Sequence, residues 1–182
     1  YVETSRGCPY NCKFCISSIS LGVRFLDPER FRLILIKLFQ YGAQTIKFVD
    51  RTFNANKKHA FEILQVFQEE AAKHVALTPR AHCEMAGELL DEEWLQFLRD
   101  YPTGMIQLEI GVQSTHQLTL HAISRPQNFS SWQDKVYYLQ HTCNIPVHLD
   151  LIAGLPHEGW GEFSRSFDDV RSEERRVGKE CR

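Results

Sequence analysis

The sequence predicts an α/β fold on parallel strands, a β/α barrel or part of one. Three observations carry this. Short apolar segments rich in β-formers alternate with segments of helical period along most of the chain. Strand–helix units in succession imply a parallel sheet with right-handed crossovers. Polar residues recur where each strand ends, which is where barrels and open α/β sheets both build their sites. A doubly wound sheet is the rival architecture, but no G-x-G-x-x-G opens a helix here.

The elements follow in order. YVETS (1–5) reads as a short strand running into a cysteine-rich loop. Asp27, Pro28 and Glu29 open a first helix: the Asp caps, the Pro suits the first helical position and the Glu favours the positive end. That helix runs through FRLILIKLFQ and stops at Gly42, a C′ residue. TIKFVD is the second strand. Asn54 or Asn56 caps the next helix, with Ala60, Phe61, Ile63, Leu64 and Phe67 at helical spacing. RAHCEMA is the third strand, and Asp91 with Glu92 and Glu93 opens a helix carrying Trp94, Leu95 and Leu98. MIQLEIGV is the fourth strand. STHQLTLHAI and SSWQDKVYYLQHT are helical, with Ser114 and Ser130 as candidate caps. PVHLDLIAG is the fifth strand, and WGEFSRSFDDV begins a last helix.

The 182 residues carry a formal net charge of −2 and 43% hydrophobic side chains, ordinary for a globular domain with one substantial core. No apolar run approaches the roughly 20 residues of a membrane span. The chain opens on YVETSRG, without a signal peptide or initiator Met, so it reads as starting mid-protein in the cytoplasm. No dense basic stripe supports nucleic-acid binding. RSEERRVGKECR (171–182) breaks the character of what precedes it and matches the translation of a sequencing-adapter oligonucleotide; a disordered charged tail is the bland alternative. Either way the domain is 1–170, and Cys181 is no ligand.

Three cysteines fall within CPYNCKFC, at Cys8, Cys12 and Cys15. A disulfide framework does not suit a chain of this size without a secretory segment. Structural zinc wants four ligands, and no His follows at finger spacing. Iron–sulfur clusters are held by thiolates, typically four. Three leave one iron open, a site for a substrate or cofactor. Cys83 and Cys143 lie in apolar segments and read as buried structural thiols.

CPYNCKFC resembles the signature of the radical S-adenosylmethionine (SAM) superfamily, including an aromatic residue, Phe14, before the third cysteine. The resemblance extends over residues 1–167. LEIGVQS and LDLIAGLPHE resemble the fourth- and fifth-strand motifs of the subgroup that includes oxygen-independent coproporphyrinogen oxidase and the Elp3- and MiaB-like enzymes. The resemblance implies a partial (β/α)6-type barrel lacking its last strand. It implies a 4Fe–4S cluster on Cys8, Cys12 and Cys15, whose open iron chelates the amino and carboxylate groups of SAM. It also implies reductive cleavage of SAM to methionine and a 5′-deoxyadenosyl radical that abstracts hydrogen from a substrate. The electron would come from a reductant such as flavodoxin or ferredoxin.

By position in that family, Glu84 and Gln113 hydrogen-bond the ribose or methionine portion of SAM, Arg125 reaches its carboxylate and Asp150 holds the ribose hydroxyls. The residue types suit these tasks, since carboxylates accept from vicinal hydroxyls and a guanidinium fork matches a carboxylate. Gly154 and Pro156 turn the chain near the adenine. One departure stands out. The family's Gly-Gly-Glu turn after the second strand is replaced by FVDRTFN, where Asp50 would accept from the SAM amine and Arg51 or Asn54 would line the pocket. The leading ETSRGCP resembles the cobalamin-dependent branch, in which a cobalamin-binding domain precedes the barrel. His82, His148 and His157 read as surface or core histidines.

The leading expectation is therefore a radical SAM enzyme, with or without cobalamin, performing methyl transfer, ring formation or another C–H functionalisation on a small-molecule or unknown substrate. Two other classes stand beside it. An electron-transfer or structural metal module would want four thiolates and no ring of polar strand ends. A tRNA-modifying enzyme would want the missing basic patch.

Overall fold

The computed structural model describes residues 1–19, 22–125 and 127–175. Its elements are β1 (Ser5–Arg6), β2 (Arg24–Phe25), α1 (Pro28–Gln40), β3 (Thr45–Lys47), α2 (Lys57–Ala71), β4 (Arg80–Met85), α3 (Glu92–Arg99), β5 (Ile106–Gln113), α4 (Gln117–Ala122), α5 (Gln133–His141), β6 (Val147–Leu151) and α6 (Trp160–Arg175). Strands β3, β4, β5 and β6 form one parallel sheet in that spatial order. Spatial order equals chain order, so the sheet winds in one direction, as a barrel wall does and a doubly wound sheet does not.

The predicted first strand is much reduced. Val2 makes a single parallel bridge to Phe48, with Val2 N–H donating to the Lys47 carbonyl at 3.0 Å and Val49 N–H to the Val2 carbonyl at 2.9 Å. The chain then leaves the sheet, and β1 pairs antiparallel with β2, a strand the sequence reading did not foresee. Arg24 and Phe25 are too short a run to register against flanking loops.

Helix ends follow the local chemistry. Asp27 accepts from Arg30 N–H at 3.0 Å with Pro28 in the first turn of α1. Gly42, at φ +79°, closes α1 with paired 3.0 Å bonds from Gly42 N–H to Phe39 and from Ala43 N–H to Leu38. Asn56, not Asn54, caps α2 by accepting from His59 N–H at 3.0 Å. Neither predicted serine caps by side chain: α4 starts from His116 and α5 from Trp132. Ser130 lies instead in a short 3-10 turn over Phe129–Ser131. Helix α6 passes Val170 and continues to Arg175, because Glu and Arg are good helix formers and no stop signal intervenes. Residues 176–182, including Cys181 and the rest of the suspected adapter segment, lie outside the described residues.

One face of the sheet packs under the helices. Ile46, Ala81, Cys83, Met85, Leu108, Ile110 and Val112 meet Phe31, Leu35, Ile63, Phe67, Trp94, Leu98 and Val136 in one core. Burial raises the Cys83 thiol pKa, as expected of a structural cysteine. The alternate residues point to the other, inner face, which keeps contact with solvent. There Lys47, His82, Glu84, Glu109, His148 and Asp150 project from four neighbouring strands. Among the described residues no helix is long and apolar enough to cross a membrane.

Candidate cofactor site at the strand ends

The cysteine loop is fastened beyond the ends of β3 and β4 and at the end of α4. Cys8 Sγ lies 3.5 Å from the hydroxyl of Thr52, just after β3; that hydroxyl donates to the Arg51 carbonyl at 2.8 Å. Tyr10 faces Glu88, just after β4, and its hydroxyl pKa is raised, first by burial and then by that carboxylate. Lys13 N–H donates to the Ile123 carbonyl at 2.9 Å, where α4 ends. Cys15 N–H closes a turn on the Cys12 carbonyl at 3.0 Å, and Ser18 ties down the Cys15 carbonyl through its N–H at 3.1 Å and its hydroxyl at 2.7 Å. All three loop cysteines are free; Cys12 is buried, Cys8 and Cys15 half-buried. Phe14 is exposed.

Arg125 reaches under this loop from beyond α4. Nη1 lies 3.7 Å from Cys12 Sγ, and Nη2 donates to the Gly111 carbonyl at 3.1 Å. Its guanidinium sits over the Tyr10 ring, 5.2 Å from the centroid. Nε is buried with no hydrogen-bond partner among the described residues. Gln113, at the end of β5, has φ +65° beside a register irregularity in the β5–β6 pairing. Its amide fills the space in front of Gly111: a Cβ there would meet Gln113 Nε2 at 2.1 Å.

The inner-face carboxylates form a linked set. Glu109 accepts from His82 Nε2 at 2.8 Å, with Lys47 Nζ 3.5 Å away, and Asp150 is its electrostatic neighbour on β6. Desolvation alone would raise the Glu109 pKa; the His82 bond and the Lys47 charge outweigh it and hold the carboxyl low. Asp150 is pushed up by desolvation and then by Glu109. Glu84 is also raised, by desolvation first and Glu109 second, although the residue as a whole is exposed.

Asp50 does something else. It is buried, and its two oxygens accept from Thr4 N–H at 3.0 Å and Thr4 hydroxyl at 2.7 Å. Both bonds go to the chain entering the cysteine loop, so Asp50 acts as an internal clamp, a role the sequence reading did not assign. Asn54 is likewise engaged within the protein: its amide pairs with Ala86, accepting from the N–H and donating to the carbonyl, each at 2.9 Å. Sequence reasoning missed Thr4, Tyr10, Thr52 and Glu88, which carry no spacing signal. It also missed Glu109, and it read His82 only as a surface or core histidine, although IQLEIGVQ, RAHCEM and VHLDL alternate and place Glu109, His82 and His148 on the same face as Glu84 and Asp150.

Among the described residues no three His, Cys, Asp or Glu side chains converge on a single-ion geometry. Cysteines that each bind a different iron of a cubane need not converge in that way. The observations that fit such a group with SAM are the three free thiols on one tethered loop and the buried, unpartnered Nε of Arg125 beside it.

Comparison with known proteins defines the class. The profile of the radical SAM superfamily matches residues 2–170, and the chain belongs to that superfamily. It is 46% identical over 72 residues to the uncharacterized methyltransferase PH0819 of Pyrococcus horikoshii, spanning 37% of this chain and 16% of that protein. It is 35% identical over 65 residues to Escherichia coli YhcC, spanning 36% of this chain and 21% of that protein. The chain thus matches well under a third of the length of these curated relatives. Among solved structures, the radical SAM methyltransferase TsrM of Kitasatospora setae, with cobalamin and a 4Fe–4S cluster bound, superposes with TM-score 0.79 at 16% identity over 95% of this chain and 34% of that one. The cobalamin-dependent enzyme OxsB superposes with TM-score 0.71 at 18% identity over 92% and 25%. These likenesses establish the partial radical SAM barrel, in place of the doubly wound alternative.

Proposed function

We propose that this chain is the cofactor-binding core of a radical SAM enzyme, with Cys8, Cys12 and Cys15 holding a 4Fe–4S cluster that leaves one iron for SAM. The observation that carries the reading is the tethered loop: three free thiols stand over the strand ends, with Arg125 linking Cys12 to Gly111. With both groups bound, the pair supplies a 5′-deoxyadenosyl radical and methionine.

The chain's own residues bind and orient. The unpartnered Arg125 Nε is the donor left for the SAM carboxylate. The Gln113 amide, held in front of Gly111, addresses the methionine portion. Glu84 and the Asp150–Glu109 pair offer acceptors for ribose hydroxyls. Phe14, exposed on the loop, offers an apolar face toward the nucleoside.

The cobalamin branch is the favoured subclass, resting on the leading ETSRGCP and on the relative named a methyltransferase. Methyl transfer and cyclisation both remain open to such a core, on a small-molecule substrate and with a flavodoxin- or ferredoxin-type reductant. The test is anaerobic reconstitution with iron and sulfide, then addition of SAM and dithionite. The reading expects 5′-deoxyadenosine and a change of the cluster's EPR signal on SAM binding; neither appearing refutes it.

A further inference from the structure

Arg125 is held more elaborately than a simple carboxylate hook requires. Its backbone N–H donates to the Leu120 carbonyl at 2.9 Å, directly after Ser124 at φ +55°. A non-glycine residue in the left-handed region costs roughly 1 kcal/mol, and such outliers persist where the surroundings impose them. The side chain is then fixed on three sides by Cys12 Sγ, the Gly111 carbonyl and the Tyr10 ring. Each terminal nitrogen already spends an N–H, Nη1 on the Cys12 sulfur and Nη2 on the Gly111 carbonyl of β5.

We propose that Arg125 sets the reduction potential of the cluster by donating an N–H to the sulfur of Cys12. The inference rests on the three-cysteine reading above. Hydrogen bonds to cluster sulfurs and nearby charge are principal levers on such potentials. A cation beside the sulfur stabilises the cluster that has gained one electron more than the oxidised one. The potential therefore moves toward less negative values and eases transfer from a low-potential ferredoxin- or flavodoxin-type donor. Tyr10 is the positioning residue, its ring keeping the guanidinium against Cys12.

The experiment is an EPR-monitored redox titration of the reconstituted full chain, without SAM, with iron per chain measured in parallel. Arg125→Met should shift the midpoint to more negative potential at unchanged iron content. Arg125→Lys, which keeps a charge but loses the fork, should give a smaller shift of the same sign. Tyr10→Leu should also shift it the same way, with the arginine intact. Should Arg125→Met fail to take up iron, the other two variants decide. Unchanged midpoints in variants that hold the cluster overturn the proposal and leave Arg125 as a SAM contact alone. A wild-type chain that takes up no cluster overturns the functional reading and this proposal together.

Discussion

Asp50 and Thr4 grip each other across 46 positions of sequence: the backbone N–H and the hydroxyl of Thr4 both donate to the one buried carboxylate. This clamp stands where the N-terminal segment has only a single bridge to the sheet, at Val2 and Phe48. It therefore fixes the path of the chain into the cysteine loop. Asp50→Ala should cost about 3 kcal/mol, since two hydrogen bonds to a charged acceptor are lost and two buried donors stranded. Thr4→Val keeps the backbone bond and should cost about half as much. Urea denaturation checks both, and iron uptake after reconstitution should fall in the same order.

Asn54 completes the end of β4 by acting as a strand edge for Ala86. Asn54→Ala leaves a buried N–H and carbonyl unpaired and should destabilise by about 2–4 kcal/mol. A loss under about 0.5 kcal/mol in thermal or urea unfolding would show that water replaces the amide.

Gly87 lies flat against the Trp132 ring, where a Cβ would come within 2.6–2.8 Å of three ring atoms. Trp132 is itself buried and cannot withdraw. Gly87→Ala should cost about 1–3 kcal/mol by overpacking, visible as a lowered unfolding midpoint.

The thiols separate by location. Alanine at Cys8, Cys12 or Cys15 should abolish the reconstituted cluster's EPR signal, while Cys83→Ala and Cys143→Ala should retain it. Cys83→Ala should nevertheless lower stability by about 1–2 kcal/mol, because it removes a fully buried side-chain atom from the core.

Asp150 gives a pH signature. Its folded pKa is raised, so the native state binds this proton more tightly than the unfolded chain does. The stability it confers is complete below the unfolded carboxyl value of about 3.9 and lost as pH rises through the folded value. At neutral pH the ionised group opposes folding. Asp150→Asn, which removes the charge set beside Glu109, should therefore be the more stable chain at pH 7. The gain should stay below about 1 kcal/mol after solvent screening, roughly 2–4 °C in Tm, and vanish near pH 4. Melting the two chains across that range tests it.

What the sequence made legible was local or periodic. The caps at Asp27 and Asn56 and the left-handed stop at Gly42 depend on neighbours a few residues away, and the alternation set the strands. The polar strand ends Glu84, Gln113 and Asp150 were visible because alternation and chain order place them together. The internal bonds of Asp50 and Asn54 were not legible, because a buried polar side chain looks the same in sequence whether it faces a ligand or the protein's own backbone. Only the tertiary fold brings Thr4 and Ala86 to them. His82 and His148 were set aside singly, and their meaning comes from Glu109 between them on the neighbouring strand.

The crowding of Gly111 by the Gln113 amide has a consequence for variant screening. The obstructing atom is the far end of a flexible side chain, so Gly111→Ala evicts the amide without breaking the backbone. Such a variant would pass every assay scored on expression or melting and fail one scored on SAM affinity. A disagreement between the two screens at this one position would map where the fold ends and the cofactor begins.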